Sequence, residues 1–210
     1  MKSAALIAIV WLGAATAEAD DRRWQPDAIF SQVGAGDATD AWSVGGQWHW
    51  RRGWPVRESL VLRGRWEFAF GRWRADLDEG GDQTWVSQLS VVPTLRLSKP
   101  SGGGWYAELG SGPSLVMPVF HSRDREFSTE FNFQSHLAVG YVLGERGEHD
   151  FGLRIEHFSN AGIRDPNPGM NFGSLRYTYR FGAGGERLRF AGRGERAVDP
   201  THAPNNFPES

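Results

Sequence analysis

The chain of 210 residues contains no cysteine. Thiol nucleophiles, disulfides and thiolate metal sites are therefore excluded. It carries no strong charge of either sign, with a formal net charge of −2, so there is no electrostatic case for a nucleic-acid partner. Beyond its first residues it also lacks any apolar run that could cross a bilayer as a helix, which takes about 20 residues. If such a chain lives in a membrane, it must do so as a closed barrel, because only helices and closed barrels satisfy every backbone polar group in lipid.

One short apolar run is present, from Ala4 to Ala14. Lys2 precedes it, and the small residues Ala15, Ala17 and Ala19 follow. This is the pattern of a cleavable export signal over residues 1–19, with A-x-A sites that leave Glu18 or Asp20 at the new N-terminus. A membrane anchor is the competing reading, and the run is short for one. Residues 20–181 suit one domain. Residues 182–210 are rich in Gly, Arg and Pro, show no period, and read as a mostly disordered periplasmic extension.

What the chain does have is tryptophan, ten residues of it, together with a negative mean hydropathy. That combination suits a structure with one apolar and one polar face. The periodicity is two throughout. Trp42, Val44, Gly46, Trp48 and Trp50 oppose Ser43, Gly45, Gln47 and His49. The same alternation runs over Leu60–Phe70, Trp85–Leu97, Trp105–Leu115, Phe131–Leu143, Phe151–Ile155 and Leu175–Phe181, with a first strand near Ala28–Gly34. The expected fold is all-β, an eight-stranded antiparallel transmembrane β-barrel. Short turns are expected at Arg51–Val56, Ser98–Gly104 and Gly144–Glu148. Longer loops are expected at Gly71–Gln83, Pro118–Ser128 and Asn160–Asn171, beside a short first loop at Gly34–Asp40. Short periplasmic turns and longer outer loops are the rule for such barrels, which puts both termini in the periplasm.

A soluble lipocalin-like barrel would show the same period with its apolar face inward. Three features favour the membrane. The polar faces mix Arg and Glu (Arg63, Arg65 and Glu67; Arg154 and Glu156) in the manner of an ion-paired plug. Aromatics stand near strand ends, as in interfacial girdles. Leu175–Phe181 alternates aromatic and polar residues and ends in Phe.

The chemistry concentrates on the seventh strand. Continuing its alternation puts His157 and Ser159 on the lipid-facing side at the outer end, with i and i+2 roughly 6–7 Å apart. A serine hydroxyl is a weak nucleophile until a base takes its proton, and His is the usual base. The loop that follows, Ala161 to Gly169, is dense in turn formers and suits an oxyanion hole. The bland alternative is a polar pair at the headgroup boundary.

His157-x-Ser159-Asn160-Ala161-Gly162, followed by Pro166-Asn167 and Gly169, resembles the motif of the PagL-type lipid A 3-O-deacylases, over the seventh strand, its loop and the start of the eighth. The resemblance implies an outer-membrane esterase that removes the 3-O-linked acyl chain of lipid A. It implies Ser159 as nucleophile, His157 as general base, and Asn160, Ala161 and Gly162 around the oxyanion. Where the family's best-known form has a Glu shortly after the Gly, this sequence has Asn171, with Asp165 and Glu130 as other candidates for the third role. Asn171 leaves a weak or lost activity open, and with it a non-catalytic barrel of structural or adhesive role. A soluble periplasmic lipid binder is a third reading.

Arg164, with Arg123 and Arg125, is a candidate contact for lipid A phosphates, since Arg suits phosphate geometry. His49 and His136 fall on inward faces and read as satisfied interior residues, while His121 and His149 lie in connections. No His and carboxylate set has metal spacing, so neither a metal nor another cofactor is expected. The expected partners are lipopolysaccharide and the outer membrane, with a homodimer left open.

Overall fold

The computed structural model describes residues 24–77 and 80–181, together with the backbone of 189–190. The export signal expected over 1–19 and nearly all of the extension expected over 182–210 lie outside the described residues.

Eight strands follow one another: β1 (Ala28–Gly36), β2 (Thr39–Arg57), β3 (Leu60–Asp76), β4 (Gln83–Ser98), β5 (Gly104–Met117), β6 (Phe131–Leu143), β7 (His149–Ser159) and β8 (Met170–Arg180). Each pairs antiparallel with the next, and β1 pairs with both β2 and β8, so the sheet closes on itself. A two-residue segment, β9 (Arg189–Phe190), lies parallel to Arg52 and Gly53 of β2.

Along β5 to β8 exposed and buried residues alternate almost without a break. The exposed set is the apolar one: Leu137 is 65% and Ile155 68% exposed. Large aliphatic side chains that open are stable against hydrocarbon, and this turns the apolar face outward and rules out the lipocalin arrangement. Trp42, Trp66, Trp85, Trp105, Tyr177 and Tyr179 add aromatic groups to the outer surface.

The interior has two layers. The lower one is charged. Glu67 accepts hydrogen bonds from Arg65, Arg154 and Arg176, and Glu108 from Arg65, Arg96 and Arg154, at 2.6–3.3 Å. Such closely paired charges offset their desolvation, whereas removing one partner from a buried pair costs about 3–5 kcal/mol. The upper layer, beneath the outer loops, is apolar. Trp73 of β3 is surrounded by Phe120 and Phe127 of the β5–β6 loop, Phe158 of β7 and Phe172 of β8, all buried.

Three connections differ from the expectation. No turn forms at Arg51–Val56. There β2 runs on to Arg57 through a register shift between His49 and Gly53, and the turn is Glu58–Ser59. Irregular pairing of this kind accommodates Gly53 and Pro55. Gly71–Gln83 is not all loop either, since β3 continues to Asp76. In this upper part Trp73 and Ala75 point inward and Arg74 outward. Beyond the hydrocarbon layer the outside is water and the inside is the apolar cap, so the polarity of the two faces inverts. The first outer loop is likewise shorter than Gly34–Asp40, with β1 ending at Gly36 and β2 starting at Thr39.

Candidate active site

The outer end of β7 is held by alternation. Phe158 points inward and packs against Trp73 and Phe172. Its neighbours His157 and Ser159 must therefore point outward, where His157 is exposed and Ser159 half-buried. On β8, Phe172 enters the same cap and turns Asn171 outward. His157 and Asn171 are direct cross-strand partners, and His157 Nδ1 donates to Asn171 Oδ1 at 2.7 Å. An amide oxygen can only accept, so this bond puts the proton on Nδ1 and leaves Nε2 with its lone pair. Of Asn171, Asp165 and Glu130, it is Asn171 that meets the histidine.

The β7–β8 loop, residues 160–169, is braced by its own polar groups. Asn160 is buried, and its Nδ2 donates to Ser128 Oγ at 2.9 Å and to the Arg164 carbonyl at 2.7 Å. Its Oδ1 accepts the Gly162 amide at 2.9 Å, while its own amide donates to Asn167 Oδ1 at 3.0 Å. Asn160 and Gly162 are among the residues expected around the oxyanion. Their donors are used to shape the turn. The Ala161 amide takes no part in these bonds, and Ala161 sits at φ 54, a left-handed conformation uncommon for a residue with a Cβ.

Gly169 ends the loop at φ +66, where it passes over the histidine ring. A Cβ built there would lie 2.7 Å from His157 Cε1 and 3.3 Å from Nε2. Arg125 fixes this passage. Its Nη1 donates to the carbonyls of Pro168 and Gly169 at 3.0 and 3.1 Å, and its Nε and Nη2 donate to Asp37 Oδ2 at 2.9 and 2.5 Å. Arg125 is thus a clamp joining three outer loops and is not available as a phosphate contact. Arg123 lies beside Asp124. Arg164 is exposed, and its carbonyl is the anchor that Asn160 and Ser128 hold.

Sequence spacing could not show the arginine clamp, whose partners are 43 to 88 residues away. It also missed the continuation of the polar row. Ser135 of β6 is the cross-strand partner of His157, and Ser111 of β5 is the partner of Ser135. The two hydroxyls lie 2.8 Å apart on the outer face. A lone serine among Phe131, Phe133 and Leu137 was the available signal.

Two interior expectations need correction. His136 is buried, but both its ring nitrogens lack a hydrogen-bond partner among the described residues. Glu67, Glu108 and His136 bring ligand atoms within 4.8 Å of one another, a cluster invisible to spacing because it joins β3, β5 and β6. Both carboxylates already hold guanidinium groups, so the arginines neutralise the charge a cation would need.

A closed eight-stranded barrel with an apolar belt outside, carrying a histidine, a serine and an asparagine at the upper edge of that belt, defines a small outer-membrane barrel with an enzyme-like site. The profile of the lipid A 3-O-deacylase (PagL) family matches residues 40–180. The chain is 32% identical over 134 residues to lipid A deacylase PagL of Bordetella bronchiseptica, covering 60% of this chain and 71% of that one. To lipid A deacylase PagL of Pseudomonas aeruginosa it is 27% identical over 182 residues, covering 83% and 94%. The crystal structure of the outer membrane enzyme PagL superposes with a TM-score of 0.62 at 24% identity, over 72% of this chain and 98% of that one, and shares the fold. The chain belongs to the lipid A 3-O-deacylase (PagL) family, a family of hydrolases.

Proposed function

We propose that the protein removes the 3-O-linked acyl chain of lipid A in the outer leaflet by serine–histidine ester hydrolysis, with residues 1–19 directing its export. One observation carries the mechanism: a histidine oriented through Nδ1 by Asn171 stands two residues from a serine on the same lipid-facing side of β7. A water-soluble ester has no need of a site that faces hydrocarbon.

His157 Nε2 takes the proton of Ser159 Oγ as the oxygen attacks the ester carbonyl. The negative charge on the carbonyl oxygen falls beside the turn at Ala161, whose amide stabilises it. His157 then gives its proton to the sugar oxygen, which leaves. Water repeats the sequence on the acyl-enzyme, releasing a carboxylic acid and restoring Ser159. The acyl chain lies on the outer wall below the site, along Leu137, Leu153, Ile155 and Leu175, where Gly173 opposite Ile155 leaves open space. The exposed Arg164 faces the phosphates of the headgroup.

The test is mass spectrometry of lipid A from cells making the intact chain or its Ser159→Ala variant. Loss of one 3-linked acyl chain is expected with the first and not the second. Unchanged lipid A from cells with the folded barrel in the outer membrane would leave a non-catalytic protein.

A further inference from the structure

β1 and β2 separate before β2 ends. Their pairing stops at Ala28 and Gln47, yet β2 runs on from Trp48 to Arg57 at the rim opposite the candidate active site. Asp27 closes the junction. Its amide donates to the Gln47 carbonyl at 2.8 Å, and its Oδ2 accepts the His49 amide at 2.6 Å. Beyond His49, β1 supplies no partner for this edge of β2. The other edge is interrupted as well, because Trp50, Arg51 and Arg52 fall in the register shift and have no partner on β3. Trp50 folds over Gly64 on the outer wall, and Arg51 and Arg52 stand exposed. An open strand edge presents unpaired N–H and C=O groups, and an added strand is what satisfies them.

Pairing, direction and reach name the occupant. Arg189–Phe190 (β9) lies parallel to β2 at this place, with Arg189 beside Arg52 and Phe190 beside Gly53. The direction follows from the chain order. β8 and β2 both run toward this rim, so a segment that continues the sense of β8 meets β2 in parallel. β8 ends on the far side of β1, with Arg180 opposite Ala28 and the Phe181 amide donating to the Asp27 carbonyl at 2.8 Å. Two strand spacings of about 4.8 Å and the descent from Gln47 to Arg52 make a span of roughly 20 Å, against a reach of about 30 Å for the chain from Arg180 to Arg189. The sequence has a strand pattern here, with Arg187 and Arg189 alternating with Leu188 and Phe190. Pro55, which has no amide to give, stands just beyond the pairing and suits an edge.

We propose that the C-terminal extension docks on the open edge of β2 as a ninth strand through Arg189–Phe190, and that the chain thereby keeps this edge from pairing with a second copy. A short tether holds such a segment at an effective concentration on the order of millimolar, which favours the chain's own residues over a strand from elsewhere.

The experiment uses the full chain folded in the outer membrane, where the absence of native cysteine leaves no competing thiol. Arg52→Cys with Arg189→Cys should form an intrachain disulfide on mild oxidation, since paired strands hold Cα atoms within the roughly 4.4–6.8 Å that a disulfide needs. A control pair, Arg146→Cys with Arg189→Cys, puts one thiol in the exposed β6–β7 turn on the same rim and should stay reduced. Amide exchange gives a second reading. Arg189→Pro with Phe190→Pro removes both donors of β9, and the amides of Arg51 to Trp54 should then exchange about tenfold faster, with β5 to β8 unchanged. A disulfide-linked pair of barrels would assign the edge to a second copy and overturn the proposal. Free thiols at both positions after oxidation, equal linkage in the control, or exchange that the two prolines leave unmoved would overturn it as well.

Discussion

Replacing Asn171 by aspartate changes one group on the side chain and adds a full negative charge beside His157 Nδ1, where the amide oxygen now accepts at 2.7 Å. Loss of the acid in a serine triad can cost about 10⁴ in kcat when the histidine is left in the wrong tautomer. Here the asparagine oxygen already selects the right tautomer, so the charge is the missing part. A hydrogen bond to a charged group contributes about 1.5–3 kcal/mol against 0.5–1.5 for a neutral one, and about 1.4 kcal/mol is tenfold in rate. Asn171→Asp should therefore raise kcat about tenfold. The added charge favours the imidazolium, so the acid side of the pH–rate profile should move to higher pH. Asn171→Leu keeps the size, removes the acceptor, and should lower kcat with little change in KM. The assay is fatty acid release from lipid A in detergent micelles over a series of pH values. An Asn171→Asp enzyme with unchanged or lower activity and an unmoved acid limb would refute the role given to the Asn171 oxygen.

Gly169→Ala places a methyl group 2.7 Å from His157 Cε1 at a φ of +66. The displaced ring should cost about 100-fold in kcat, the scale of a misplacement near 1 Å, with the folded barrel still showing its heat-modifiable mobility on gels. Arg125→Ala releases Gly169 and Pro168 from the clamp and should lower kcat about tenfold. Thermal stability should move by no more than about 1 kcal/mol, since exposed pairs contribute little; a large drop in stability would make Arg125 a structural residue.

The sequence was most legible where lipid is the solvent. On β5 to β8 every second residue meets hydrocarbon, so apolar and polar residues alternate and register could be read directly, including the outward placement of His157 and Ser159. It was least legible where that rule stops. The end of β2 and the top of β3 leave the hydrocarbon layer, and there Arg74 faces out while Trp73 faces in, so a period-two pattern of the opposite sense looked like loop. The motif Asn160-Ala161-Gly162 was visible as a unit, but not the division of labour within it, because the partners of Asn160 come from Ser128 and Arg164. Arg125 looked like any loop arginine, since its meaning lies in residues of two other loops. Interior clusters such as Glu67, Glu108 and His136 join strands that no sequence spacing relates.

The charged layer of the interior also bears on how the molecule can be made. Glu67 of β3 bonds Arg154 of β7 and Arg176 of β8, Glu108 of β5 bonds Arg65 of β3, and Glu156 of β7 bonds Gln32 of β1. Many of these partners lie across the lumen, on strands that are not neighbours in the sheet. Within β3 to β5 Arg65 meets Glu67, and Arg65 and Arg96 meet Glu108, while Arg154 and Arg176 wait for carboxylates that β7 and β8 alone do not supply. Glu67 gains Arg154 and Arg176, and Glu156 gains Gln32, only when β7, β8 and β1 are all in place. The full set of interior ion pairs is thus a property of the closed barrel and of no smaller part of it.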